Sequence, residues 1–232
     1  MALVKYGGGI LNMSGSIGAQ VHSHNRYGQY IRARTTPVNP QSSRQTTIRA
    51  IMAFFSQAWS NILTQAQRNA WEVYAAAITR QNALGAQIKL TGFNHYIRCN
   101  LARAQGALVA VIDSPTVLTL PPGDPTFVCT VDEASQEISV VFDDTLDWNT
   151  QDGGGMLVAM SIPKATGTNF IGGPFRFAGT IAGIDPGGVA SPQVIAVPLP
   201  VAEGQEVACS ARITEIDGRL SDPFRSQSSV TA

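Results

Sequence analysis

Acid is almost missing from the first half of this chain. Through Gly106 the only carboxylate side chain is Glu72, against eleven lysines and arginines. From Ala107 onward the imbalance reverses: fifteen acids stand against five bases, Lys164, Arg176, Arg212, Arg219 and Arg225. The halves carry about +10 and −10, and the whole chain is neutral. Such a split does nothing for a fold and reports on partners. The basic half suits nucleic acid, an acidic protein surface, or the acidic half of a neighbouring copy.

Long apolar runs are missing too. The stretch 107–112 is typical of the longest, far short of the roughly 20 residues of a membrane span, so no membrane partner is expected. The start, Met1-Ala2-Leu3-Val4-Lys5-Tyr6-Gly7-Gly8-Gly9, has no apolar core of a signal peptide, so secretion by that route is not expected. Cysteine is scarce: Cys99, Cys129 and Cys209, with no two at C-x-x-C spacing. Zinc and thioredoxin-type chemistry are not indicated, and small buried core residues are the expectation. A Cys129–Cys209 bridge stays open, with the lack of a secretion signal against it.

Histidine is equally sparse. His22 and His24, two apart on a strand, would share a face, but no Asp, Glu or Cys nearby completes a metal site. No G-x-S-x-G elbow, Walker-type loop or H-E-x-x-H helix occurs. Asp143, Asp144, Asp147 and Asp152 lack EF-hand spacing and read as a solvated acidic loop, with paired carboxylates or calcium as the alternatives. The expectation is a non-enzyme with no catalytic residue, metal or cofactor.

What is present falls into four stretches. Residues 1–37 read as an extended, glycine-punctuated arm: strand-like stretches at 16–24 and 27–34 flank an Asn25-Arg26 turn, a hairpin with little core of its own. Pro37-Val38-Asn39-Pro40 stops it, with Asn39 placed to cap a helix that has Pro40 at its first position. Residues 38–106 read as a basic helical domain. Ile48, Ile51, Met52, Phe55, Trp59 and Ile62 recur at helical spacing. Thr64-Gln65-Ala66-Gln67 is a capping box opening a second helix with Trp71, Tyr74, Ala75 and Ile78 on one stripe. The short connection predicts that these two helices pair antiparallel. A short strand at 86–90 follows, and Thr91 caps a third helix that Gly106 ends.

Residues 107–125, rich in proline, read as a linker or first edge strand. From 126 to 232 the pattern is all β, with candidate strands at 127–131, 137–142, 156–162, 175–181, 193–199, 206–214 and 226–231. Turn chemistry separates them, as at Asp152-Gly153-Gly154-Gly155 and Asp217-Gly218. Seven short strands in this length predict a β-sandwich. The fold class is α+β.

The alternating stretch through Ala211-Arg212-Ile213-Thr214, the turn Asp217-Gly218-Arg219-Leu220-Ser221 and a last strand resemble the end of a fibronectin type III or related immunoglobulin-like module. The first half resembles a group of uncharacterised proteins of tailed bacteriophages and prophages. Ser14-Gly15-Ser16-Ile17-Gly18, Asn25-Arg26-Tyr27-Gly28-Gln29-Tyr30-Ile31-Arg32, Pro37-Val38-Asn39-Pro40, Leu63-Thr64-Gln65-Ala66-Gln67-Arg68-Asn69-Ala70-Trp71 and Leu90-Thr91-Gly92-Phe93-Asn94-His95-Tyr96 carry that resemblance. It implies a virion component and brings no catalytic residues. The expected role is a capsid auxiliary or decoration protein docked through the basic half. A neck or tail component is the alternative, and a nucleic-acid- or glycan-binding module a further one. The expected partners are other virion proteins and further copies of the chain. Candidate contact residues are Arg26, Tyr27, Tyr30, Arg32, Arg34, Arg44 and Arg49: guanidinium forks beside aromatic rings suit carboxylates on a protein, or phosphates and bases.

Overall fold

The computed structural model describes every residue except Met1, Tyr6, Pro37 and Ala83. Pro37, expected to help stop the arm, therefore lies outside the described residues. The architecture is α+β, with three helices and large β-sheets among the described residues.

The arm is a four-stranded antiparallel sheet, not one hairpin. Its strands are β1 (Ala2–Val4), β2 (Gly15–Ile17), β3 (Gln20–Asn25) and β4 (Gly28–Ala33), in the order β1-β4-β3-β2. The stretch 16–24, expected as a single strand, folds back on itself at Gly18-Ala19. Gly18 makes this turn at φ +59, a conformation that costs glycine little. The second turn falls on Arg26-Tyr27, one residue later than expected, with Asn25 Oδ1 accepting from the Tyr27 amide at 2.9 Å.

Helix α1 (Ser43–Asn61) starts later than its sequence signals suggest. Asn39 does not cap it. Gln41 takes a left-handed φ of +47, and Ser42 becomes the cap, its hydroxyl accepting from the Gln45 amide at 3.4 Å. The Asn39 carboxamide oxygen instead accepts from Arg49 Nη1 at 2.9 Å. Of the expected apolar face, Phe55 is buried and Ile48, Ile51 and Trp59 are half-buried, while Met52 and Ile62 are exposed. Helix α2 (Gln65–Ala77) carries the complete Thr64–Gln67 capping box. Helix α3 (Gly92–Gln105) is capped by Thr91 and ends at Gly106. Between them β5 (Arg80–Gln81) and β6 (Gln87–Ile88) make a short hairpin.

The expected α1–α2 pair is not the organising contact. Both helices pack on α3 instead. Tyr96 of α3 explains why: its ring meets Phe55, Trp59 and Trp71 at centroid distances of 5.9, 5.5 and 5.6 Å. Packing on Tyr96 lets rings from both helices be buried against one residue of α3. The approach is close. A Cβ on Gly92 would lie 2.6 Å from the Glu72 amide nitrogen of α2.

Residues 107–125 contain no strand among the described residues and are sewn onto the helices. The Asn100 carboxamide brackets Val111, accepting from its N–H at 2.7 Å and donating to its carbonyl at 2.9 Å. Trp71 Nε1 donates to the Ile112 carbonyl at 2.9 Å, and Gln67 to Asp113 at 2.7 Å.

The C-terminal strands are β7 (Val128–Asp132), β8 (Glu137–Val141), β9 (Gly155–Ser161), β10 (Phe175–Ala182), β11 (Gln193–Ala196), β12 (Glu206–Thr214) and β13 (Phe224–Thr231). They match the sequence expectation to within a few residues. They form one seven-stranded sheet in the order β10-β9-β12-β13-β7-β8-β11. Every pairing is antiparallel except the short β13–β7 pair. The two edge strands come together, with Gly179 of β10 so close to Ile195 that a Cβ would sit 2.8 Å from its Cγ2. The sheet is thus nearly closed around a core that includes Trp148, Met156, Met160, Ile138 and Ile213. All three cysteines are buried and free.

A buried arginine helps tie the two cores together. Arg103 of α3 is 2 % exposed. Its Nε donates to the Val109 carbonyl at 2.7 Å, Nη1 to the Glu215 carbonyl at 2.7 Å and to Thr214 Oγ1 at 3.2 Å, and Nη2 to the Gly153 carbonyl at 3.0 Å. No carboxylate pairs with it among the described residues. Burial lowers its pKa. The guanidinium is kept there by the Thr214 hydroxyl and by backbone oxygens from the 107–125 stretch and from two separate turns, at Gly153 and Glu215.

Candidate binding groove

Strands β9 and β12 alternate cleanly. Met156, Val158 and Met160, with Cys209, Ala211 and Ile213, point into the sheet's own core. Leu157 and Ala159, with Ser210 and Arg212, occupy the opposite face by the two-residue period of a strand. The register then builds a row across four strands: Phe177 pairs with Ala159, Ala159 with Ser210, and Ser210 with Arg225. This row is the floor of a groove of about 540 Å³. One wall is α3, through Arg98, Leu101, Ala102 and Gln105, and Arg44 stands at the start of α1. A smaller hollow of about 320 Å³ shares Arg44, Gln105 and Phe177 and adds Ile48 and Ile51, giving an apolar extension.

Four guanidiniums therefore share one space. Two come from the basic half, Arg44 and Arg98. The other two, Arg212 and Arg225, are among the five bases of the acidic half. The Arg44 guanidinium lies 5.9 Å from the Phe177 ring centroid and that of Arg225 4.8 Å from the Phe175 centroid. Cation–π contact holds each fork in place without using its N–H donors. Among the described residues, no side-chain hydrogen bond or ion pair engages Arg44, Arg212 or Arg225. Asp222 is the one carboxylate nearby. It pairs with Arg80 and lies 3.8 Å from Arg98, but its own side chain is 68 % exposed. Burial, then the Arg80 and Arg212 charges, push Arg98 down to about 10. Arg212 is lowered by burial and by Arg80. Both remain charged at neutral pH, so the groove is short of negative charge.

The residues singled out from sequence do not form one patch. Arg44 alone enters the groove. Arg26 is exposed in the β3–β4 turn, and Arg49 is held by Asn39. Tyr30 and Arg32 share one face of β4, and Arg34 follows the strand, its N–H donating to the Ala19 carbonyl at 2.7 Å. Tyr27 connects arm to body: its hydroxyl oxygen accepts from Asn94 Nδ2 of α3 at 2.8 Å. Arg98, Arg212, Arg225, Ser210, Phe175 and Phe177 escaped the sequence reading. The available signal was the rarity of bases after residue 106, two of which sit at outward positions of adjacent strands.

Other titratable side chains with displaced pKa values lie elsewhere. His95 is pushed down to about 4 by burial and then by Arg80 and Arg98, and Cys99 up to about 12 by burial. Both are interior groups of the helical core. No group of three His, Cys, Asp or Glu placed to hold a metal occurs among the described residues. No helix of the described residues is long and apolar enough to cross a membrane. No family model, curated protein or solved structure matches this chain.

Proposed function

We propose that this chain is a non-enzymatic structural component of a tailed-phage virion, an auxiliary or decoration protein docked on the capsid through its basic N-terminal half. The observation that carries the reading is the arm. It is a sheet of four short strands in which His22 is the one buried residue among those described. A thin sheet of this kind gains little from burial and suits a partner surface laid against it. Tyr30 and Arg32 on one face, with Arg26 at its tip, offer that surface aromatic contact and carboxylate-binding forks. The phage-like motifs of residues 14–101 supply the context.

The C-terminal unit fits the same role as a fibronectin type III-like module of the immunoglobulin type. One leaf would be β7, β8 and β11, the other β10, β9, β12 and β13, joined through the parallel β13–β7 pair. Such modules serve as spacers and adhesive units, a likeness of architecture only.

Mass spectrometry of purified particles tests the proposal, with the full chain and a form lacking residues 2–36 supplied in trans. Full-length protein in the particle and the truncated form left in solution is the expected result. Absence of the full-length protein from particles overturns it. The exposed arm arginines also favour a second reading, contact with nucleic acid, which predicts DNA binding that falls steeply with salt.

A further inference from the structure

We infer that the arginine groove is the socket for a second copy of this chain, entered by the acidic loop end of its β-sheet unit. The groove holds four guanidiniums and one largely exposed carboxylate at its border, so what fills it is anionic. Arg225 and Arg44 lie over the Phe175 and Phe177 rings, so those ring faces are taken and do not stack a nucleobase. Guanidiniums placed over aromatic rings keep their N–H donors for a ligand, and paired donors of this kind suit carboxylates.

The chain carries a matching surface. The loops 142–154 and 183–192 lie together at one end of the sheet unit, pinned by the fully buried Asn149. Its Nδ2 donates to the Asp144 and Val189 carbonyls at 2.8 and 2.9 Å, and its Oδ1 accepts from the Val189 N–H at 2.9 Å. The Ile184 N–H donates to the Asn149 carbonyl at 2.9 Å. This frame presents Asp144, Asp147, Asp152 and Asp185, all exposed, with Ile184 exposed beside them. The groove offers four arginines and an apolar extension at Ile48 and Ile51. Within one chain these aspartates pair with none of the groove arginines among the described residues. Another copy can bring them there, and the opposite charges of the two halves of a neutral chain give the approach its direction. Socket and plug are different surfaces, so the contact is head-to-tail and propagates into a ring or an open row.

This contact uses no part of the arm and stands apart from docking on a particle. Multi-angle light scattering of the full chain tests it, with Arg44→Gln/Arg225→Gln as the socket variant and Asp144→Asn/Asp147→Asn as the plug variant. All four side chains are exposed, so both variants keep the wild-type melting temperature. Wild-type mass rises with concentration and falls with added salt. Each variant alone associates at least about tenfold more weakly. Mixed in equal amounts they form one-to-one dimers and nothing larger, because one intact socket meets one intact plug. A wild-type chain that stays monomeric, a socket variant that associates like wild type, or a mixture that forms no dimer overturns the inference. So does a single-stranded oligodeoxynucleotide that binds wild type and is lost by the socket variant. Particle composition is read separately, so failure here leaves the virion reading intact.

Discussion

The arm and the body of this molecule are both built on antiparallel strands, yet they are held by different forces. In the arm, ladder hydrogen bonds pair short strands across two tight turns with almost no buried side chain. In the body, β9 is covered on both faces: Met156, Val158 and Met160 face the sheet's interior, and Leu157 packs into the aromatic helical core. Backbone pairing contributes little net stability because water offers the same bonds to the open chain. Burial separates a region that stands by itself from one with little core of its own.

Four measurements sharpen or break this contrast. Arg103→Met has the largest expected effect. It leaves the Val109, Glu215 and Gly153 carbonyls and the Thr214 hydroxyl without their buried donor, a loss of at least about 3 kcal/mol by urea denaturation. Gly92→Ala is next, at about 2 kcal/mol, because its Cβ meets the α2 backbone and not a movable side-chain tip. Third is acid. The His95 imidazole is held down to about 4 from 6.5, so below pH 6.5 the unfolded chain binds a proton that the folded chain refuses. Stability is full above 6.5 and declines as pH falls from 6.5 to about 4, a decline in melting temperature that His95→Asn abolishes. The smallest effect belongs to Tyr27→Phe, which removes the Asn94 hydrogen bond between arm and α3. Global unfolding moves by less than about 1 kcal/mol, while limited proteolysis cuts the arm faster. A large global loss from Tyr27→Phe, or a small one from Arg103→Met, would reverse the roles assigned to the two regions.

What the sequence made legible follows the same line. The seven C-terminal strands and the Thr64 and Thr91 caps were readable because alternation, turn residues and caps act within a few positions. Two errors came from competing local signals. Asn39-Pro40 reads as a helix start, but Gln41 turns left-handed after it and the helix begins only past Ser42. Gly18 is one glycine among several in the arm, and only register shows that the chain reverses there. The pairing of α1 and α2 with α3 depends on Tyr96 meeting three distant rings. The groove was hidden for the same reason. Phe177, Ala159, Ser210 and Arg225 become neighbours only through strand order, and nothing near any one of them in sequence announces the other three.

Arg103 also bears on how such a chain can be inherited. Domains strung on an open tether can be exchanged between genes as whole cassettes, each folding as before. Here a guanidinium from α3 is anchored by oxygens at Gly153 and Glu215, on two separate turns of the β-sheet unit, and by Val109 in the crossing segment. A foreign sheet unit lacking either turn would strand a buried charge. Recombination at residue 106 or 125 is therefore barred unless α3, the crossing segment and both turns travel together. The unit of exchange is the whole body, with the arm as the part free to change.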